Sequence, residues 1–356
     1  MDLVRIGIIG VGGIANGAHI PAYLSNPHAQ IVALCDVDVK RAEQAQRKFF
    51  RDAAVYENYM DLLADETIDA VDICTPNYLH SEIAVEAFRA GKHVLCEKPD
   101  AVSVDEAEKM YAAALSAGKV LMVMRNNRFN PNSLYLKSFI EKDRMGDIYV
   151  ARAVWRRRRG IPGKGGWFTT KALSGGGPLI DLGVHMIDLA WWLMGCPEVE
   201  AVTGNTFQKF ADNDAKDSPN ADFGDRVENG TFDVEDLALG TVRFRNGAVM
   251  QFETSWASNI EKEERYVELY GTRSGARWEG GGKDVIYYET PKGKQKEHVV
   301  DHSQIESDHS MNIRNFIDVV RGKAEPCYEP QQGLEMIKIL SAIYTSAENG
   351  GREVRF

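Results

Sequence analysis

Val4-Arg5-Ile6-Gly7-Ile8-Ile9-Gly10-Val11-Gly12-Gly13-Ile14-Ala15 is the stretch on which the fold turns. Val4 to Ile9 is a short β-branched apolar run, the pattern of a strand buried on both faces. Gly10 to Ala15 then fits G-x-G-x-x-G/A, the dinucleotide fingerprint. The first glycine permits the tight turn. The second lets backbone N–H groups approach a pyrophosphate, and Ala15 keeps the next helix close to the sheet. Free N–H groups and the helix dipole favour an anion at that point. A helix is predicted from Ile14 to Leu24, and a second strand, Gln30 to Cys35, ends in Asp36. That acid lies about 20 residues past the fingerprint, where a carboxylate holds ribose hydroxyls. Gly10, Gly12, Gly13, Ile14 and Asp36 are therefore expected at a dinucleotide. Asp36 would repel a 2′-phosphate, which favours NAD over NADP. Lys40 and Arg41, close behind, are the groups that would admit NADP.

The alternation continues. Helices are predicted over Val39 to Phe50, Tyr59 to Ala64, Leu79 to Ala90 and Val104 to Ala117. Strands are predicted over Ala70 to Cys74, His93 to Cys96 and Val120 to Met124. This pattern means a parallel, doubly wound sheet, so the class is α/β with an N-terminal Rossmann domain over residues 1–124. Ligands gather at the carboxyl ends of such strands. Thr75-Pro76-Asn77, with His80 behind it, and Glu97-Lys98-Pro99 sit there beside the glycine loop.

Beyond residue 124 the pattern changes. Asn132 to Glu141 reads as a helix and Asp147 to Arg156 as a long strand. Strand-like runs follow at Val199 to Thr203, Asp236 to Phe244, Ala248 to Trp256, Arg265 to Tyr270 and Asp284 to Glu289, with Asn246-Gly247 as a hairpin turn. His309 to Arg321 and Gln332 to Asn349 carry helical patterns. Residues 125–356 are expected to form a C-terminal α/β domain with a large open, mostly antiparallel sheet. An open sheet face must be covered, so a homodimer or homotetramer is expected. Asp212 to Glu235 is acidic and poor in large apolar groups, and reads as a long loop.

A formal net charge of −10 argues against nucleic acid or an anionic membrane as the partner. No apolar run reaches the roughly 18 residues of a membrane span. The N-terminus goes straight into a strand pattern and does not read as a signal peptide. Five scattered cysteines show neither a disulfide framework nor zinc spacing, so no metal is expected and a reducing cytoplasm is the simple reading.

Ser174 to Gly195 is the second informative stretch. Three glycines give a flexible approach, Pro178 suits the first helical position, and Gly195 with Pro197 supplies a stop. The apolar helix between them carries Asp181, His185 and Asp188 at i, i+4 and i+7, hence on one face. Buried charge must be paired or used. The residues alone leave open a histidine satisfied by its helix neighbours and a working acid–base group.

Together these motifs resemble the Gfo/Idh/MocA oxidoreductases. The glycine loop, Thr75-Pro76-Asn77 with His80, Gly91-Lys92-His93-Val94 leading into Glu97-Lys98-Pro99, and Asp181-x-x-x-His185 carry the resemblance. Val234-Glu235-Asp236, Trp256 and Gly271-Thr272 are similar to weaker landmarks. The resemblance spans the chain and departs at Asp100-Ala101-Val102, where an apolar residue usually follows the Lys-Pro. It implies a Rossmann domain followed by an open-sheet α/β domain, and NAD as the cofactor. It also implies cofactor contacts from Thr75, Pro76, Asn77, His80, Glu97 and Lys98, and a catalytic group of Lys98, Asp181 and His185. The implied substrate is a sugar, sugar derivative or cyclitol such as an inositol.

The chemistry of the residues agrees. Moving a hydride off an alcohol carbon requires loss of the hydroxyl proton, and a histidine with an ordinary pKa of about 6.5 can take it. A strand-end lysine can polarise the same oxygen. Asp181 can orient His185 or bind a substrate hydroxyl, and Asp188 can fix the imidazole tautomer. Lys98 and His185, on different domains, could meet only across a cleft between them. Asn126 and Arg128 can reach substrate or make ordinary hydrogen bonds between domains. Trp167 and Phe168 can close over a sugar ring or sit in a core. Arg156 to Arg159 would alternate faces in a strand, which favours a subunit interface or salt links to the acidic loop over a substrate carboxylate or phosphate. Three other functions compete. Related NAD-dependent glycosidases oxidise, eliminate and re-reduce without net redox. Sensor relatives lose the lysine, which is present here. A biliverdin-reductase-like activity suits the polar stripe less well.

Overall fold

The apolar run Val4–Ile9 (β1) does become a strand buried on both faces, at the centre of a six-stranded sheet. Its partners are Ala29–Cys35 (β2), Ala54–Tyr56 (β3), Ala70–Ile73 (β4), His93–Cys96 (β5) and Leu121–Val123 (β6). The order is β3-β2-β1-β4-β5-β6, all parallel, so the topology reverses between β1 and β4. The computed structural model describes residues 2–213, 215, 218, 222–279, 284–289, 296–301 and 307–356. β3, three residues at the sheet edge, is too short to show a period in sequence.

The chain divides into two compact units, Met1–Asn126 with Glu306–Ile337, and Asn127–Ile305 with Lys338–Phe356. The first switch lies close to the expected boundary. By packing, Glu306–Ile337 groups with the Rossmann unit. Ile313, Phe316 and Ile317, on the helix Asp308–Val320, join the buried core of β1, β4 and β5.

The second unit is built on a nine-stranded sheet. Its strands are Ile148–Arg156 (β7), Val199–Phe207 (β8), Leu237–Phe244 (β9), Val249–Ser255 (β10), Glu264–Gly271 (β11), Ser274–Glu279 (β12), Asp284–Glu289 (β13), Lys296–Asp301 (β14) and Val354–Arg355 (β15). The order is β14-β13-β12-β11-β7-β10-β9-β8-β15, antiparallel except where β10 runs parallel to β7. Ala151 and Ala153 of β7 are fully buried while Arg152 between them is exposed, the alternation of a sheet covered on one face. The helix Val184–Leu193 packs against β7 on the covered side. The acidic stretch Asp212 to Glu235 carries no strand or helix in its described residues, and 214, 216–217 and 219–221 lie outside them. Among the described residues, no helix is long and apolar enough to cross a membrane.

Candidate active site

In the first unit the site is built on the carboxyl ends of β1, β4 and β5. Gly10 has φ +91°, and a Cβ there would lie 2.7 Å from the Cys74 carbonyl carbon, so only glycine lets the loops after β1 and β4 approach this closely. A Cβ at Gly12 would meet no protein atom within 4 Å. The need for glycine there comes from what the loop accepts, which fits a pyrophosphate resting on its N–H groups. Asp36 Oδ2 accepts from the Val11 N–H at 2.8 Å and Oδ1 from the Asp38 N–H, so this acid also braces the glycine loop. A cleft of about 360 Å³ runs from Val11, Gly12 and Gly13 to Arg41, Gln44 and Lys48. Arg41, one of the two expected basic neighbours, lines it together with Lys48.

The helix after the glycine loop opens with a π turn, Ala15–His19, which brings His19 under the strand ends. His19 is wholly buried, with Nδ1 2.7 Å from Asp72 Oδ2 and Nε2 2.8 Å from Glu97 Oε1. Burial by itself pulls its pKa down, but Asp72 and Cys74 outweigh that and hold it well above the ordinary histidine value. Burial likewise pushes the Glu97 carboxyl up, while the hydrogen bond and charge of His19 bring it down to about 2. Glu97 uses its other oxygen, Oε2, to accept the Lys98 N–H at 3.0 Å. His80, expected at the cofactor, is fully buried beneath the loops, with Nδ1 facing the Pro99 carbonyl at 2.7 Å and Nε2 the Thr75 carbonyl at 2.9 Å. Thr75 Oγ1 is buried with no partner among the described residues, an orphan suited to a ligand. Asn126 Nδ2 donates to Asp308 of the same unit. Among the described residues, only His19, Asp72 and Cys74 group as metal donors do, and direct hydrogen bonds already occupy them.

In the second unit the glycines before the His185 helix are sites of contact, a correction to their reading as a flexible approach. A Cβ on Gly177 would lie 2.0 Å from the Glu235 carbonyl oxygen. The Glu235 carboxylate accepts from the N–H groups of Gly177 and Leu179 at 3.0 and 3.1 Å and from the Tyr344 hydroxyl at 2.9 Å. It thus caps the helix, where the dipole favours an anion. Burial raises its pKa, and these hydrogen bonds offset only part of that. The first turn, Leu179–Gly183, is π, so the i, i+4, i+7 spacing drawn on an ideal helix does not apply, and each polar group has its own partner. Asp181 Oδ2 accepts from Trp256 Nε1 at 2.8 Å. The His185 ring lies 5.9 Å from that of Trp155. Asp188 binds Arg128 through two bonds of 2.8 and 2.7 Å, both groups being buried, so two expected substrate contacts hold one another. Trp167 and Phe168 stack at 3.7 Å beside Trp256 and Leu182, at a core cluster.

The arginine run finds partners within the second unit. Arg156 pairs with Glu253 and Glu264 of the neighbouring strands, and the Arg159 N–H donates to Ser218 of the acidic stretch. Arg159 donates to the Ser258 carbonyl and lies over Phe210. Arg157 is buried over Trp155, its pKa lowered by burial against the opposing pull of Asp181 and Glu263.

The Glu97–His19 pair sets a pH dependence. Glu97 has a folded pKa below its unfolded value, so its stabilisation is complete above about pH 4.5 and is lost as pH falls toward 2. His19 has a raised folded pKa, so its contribution is complete below about pH 6.5 and is lost as pH rises from there through the raised folded pKa. The Glu97 share is roughly 3 kcal/mol. Thermal unfolding of Glu97→Gln should therefore give a lower Tm than the native chain at pH 6, with the two curves converging toward pH 3. Parallel curves across that range would show that Glu97 carries no such share.

Residues 4–125 match a family described as the Gfo/Idh/MocA oxidoreductases, NAD-binding Rossmann fold, and residues 137–356 match the C-terminal α/β domain of the same family. D-glucoside 3-dehydrogenase of Escherichia coli (strain K12) is 33% identical over 350 residues, covering 98% of this chain and 97% of its own. Levoglucosan dehydrogenase of Pseudarthrobacter phenanthrenivorans is 31% identical over 290 residues, covering 76% and 72%. Among solved structures, GenD2 from gentamicin A biosynthesis, in complex with NAD, superposes with a TM-score of 0.81 at 26% identity, covering 100% and 97%. A levoglucosan dehydrogenase in complex with NADH and levoglucosan shares the fold with a TM-score of 0.86 at 24% identity, covering 99% of each chain. With both domains matched over nearly their whole length, the chain belongs to the Gfo/Idh/MocA family of NAD-binding oxidoreductases.

Proposed function

We propose that the chain is an NAD-dependent dehydrogenase that moves a hydride between nicotinamide and a hydroxyl or keto carbon of a sugar, sugar derivative or cyclitol. The observation that carries this reading is Lys98. It stands just past the carboxyl end of β5 in the Rossmann sheet, its N–H held by buried Glu97 and the next carbonyl by His80. The names of the relatives, D-glucoside 3-dehydrogenase and levoglucosan dehydrogenase, support the substrate class.

Bound nicotinamide supplies the hydride acceptor. The glycine loop takes the pyrophosphate. Asp36, with lone pairs left beyond its bond to Val11, takes the ribose hydroxyls. Arg41 and Lys48 then govern how far NADP is accepted. His185 removes the hydroxyl proton, and Lys98 stabilises the oxygen as charge develops. Asp181, anchored by Trp256, orients His185 or grips a neighbouring hydroxyl. Thr75, Pro76 and Asn77 serve the cofactor, Asn126 and Trp167 serve the substrate, and Arg128 and Asp188 hold the catalytic helix in place.

The assembly we propose is a homodimer or homotetramer, supported by exposed Tyr149, Phe207 and Leu239 on or beside strands of the large sheet. A cytoplasmic location is supported by the five cysteines, all of them free thiols.

Absorbance of NADH should rise when the protein meets NAD and one member of a panel of glucosides, anhydrosugars and inositols, with NADP at least about tenfold less effective. Lys98→Ala and His185→Ala should each lower kcat by roughly 10²–10⁴-fold while NADH affinity stays nearly unchanged. Turnover of substrate without NADH accumulation, or normal turnover in both variants, would overturn the reading. Light scattering should show a dimer or tetramer; a monomer at micromolar concentration would remove the proposed assembly.

A further inference from the structure

Two buried histidines flank the Glu97-Lys98-Pro99 segment, and one of them has a direct line to the lysine. His19 Nε2 bonds Glu97 Oε1, and Glu97 Oε2 accepts the Lys98 backbone N–H, so a single carboxylate joins the imidazole to the lysine backbone. On the far side the Pro99 carbonyl is held by His80, which also reaches the Thr75 carbonyl. The anchor of the first line is Asp72, an acid in the middle of β4 that is fully buried and bonds His19 Nδ1. Neither ring nitrogen of His19 is left over for chemistry.

We propose that His19 is a positioning residue for Lys98: bonded at once to Asp72 and Glu97, it fixes the Glu97 carboxylate and through it the direction in which the Lys98 backbone leaves β5. This rests on the reading of Lys98 as catalytic. A carboxylate has no donor of its own, so a Glu97 held in place by Asp72 alone would face like charge. With both acids ionised, the ring between them has to donate at both nitrogens to join them, which requires the imidazolium. The charged and titratable groups around it are Asp72, Cys74 and Glu97, with Tyr23 on its own helix and His309, whose ring lies 6.2 Å away on the helix Asp308–Val320. The raised pKa of His19 fits this arrangement. The π turn that ends at His19 has a use on this view: it sets the ring beneath β4 and β5 at the depth where both acids can be reached.

A structural residue and a positioning residue differ in what they do to Lys98. In the intact protein, with NADH affinity followed by fluorescence, the rate at which trinitrobenzenesulfonate labels Lys98 is read by mass spectrometry. His19→Gln, whose donors sit on a single nitrogen and which carries no charge, should change that rate by about threefold or more. It should lower kcat roughly ten- to hundredfold, by analogy with other groups that orient a working ligand, and leave NADH affinity within about twofold. The double variant His19→Gln/Glu97→Gln pairs two neutral amides and removes an uncompensated buried charge, so it should recover part of the lost kcat. If His19→Gln does not fold, Glu97→Gln alone should shift Lys98 labelling in the same sense. Lys98 labelling unchanged in the folded variants overturns the proposal, whatever kcat does. Labelling that shifts as expected in a protein that oxidises no sugar would instead retire the dehydrogenase reading and leave the clamp standing.

Discussion

An imidazole ring between two carboxylates, out of contact with water, is the interaction on which the Rossmann half of this protein depends. Burying one carboxylate is costly unless a cation meets it, and burying two around one ring makes that ring a cation. His19 comes from the helix after β1, Asp72 from β4 and Glu97 from the end of β5, so the ring ties together the three strand ends around the topological switch point. The glycine loop, the Thr75 turn and the Lys98 segment all hang from those ends. Asp36 repeats the device in milder form, holding the glycine loop through the Val11 N–H.

The second unit solves the same problem with a different anion. Glu235 is buried against the start of the His185 helix, where two N–H groups and the Tyr344 hydroxyl meet it. The closeness of Gly177 to the Glu235 backbone makes this cap possible. The helix of His19 and the helix of His185 both begin with a π turn. A π turn adds a residue without ending the helix, and so re-aims the side chains that follow it.

Much of the fold was legible in the sequence because strong local patterns and global architecture agreed. The β-branched run before Gly10, Asp36 at its spacing, and the regular strand–helix alternation all pointed to one parallel sheet. The two- and three-residue strands β15 and β3 carried too little period to be seen, and β12 and β14 were missed as well. The return of Ile313, Phe316 and Ile317 to the Rossmann core was hidden because an amphipathic helix does not say which core it faces. At the site, the types were readable and the partners were not. Arg128 and Asp188 were each legible as functional groups, but that they would satisfy one another is a tertiary fact. His19 and Asp72 were missed although a signal existed. Asp72 interrupts the apolar strand Ala70-Val71-Asp72-Ile73, and a charge inside a doubly covered strand demands a buried partner. In the arginine run the charge was readable but the partners were not: Glu253 and Glu264 on flanking strands meet Arg156.

The protonation state of His19 decides whether the strand ends are held as described. Nitrogen NMR of protein carrying ¹⁵N-histidine, with the His19 signals assigned by their loss in His19→Gln, reads both ring nitrogens directly. At a pH of about 8, where an ordinary histidine is neutral, both His19 nitrogens should still carry protons. A His19 resonance typical of a bare, unprotonated ring nitrogen at that pH would contradict the clamp and the role given to it.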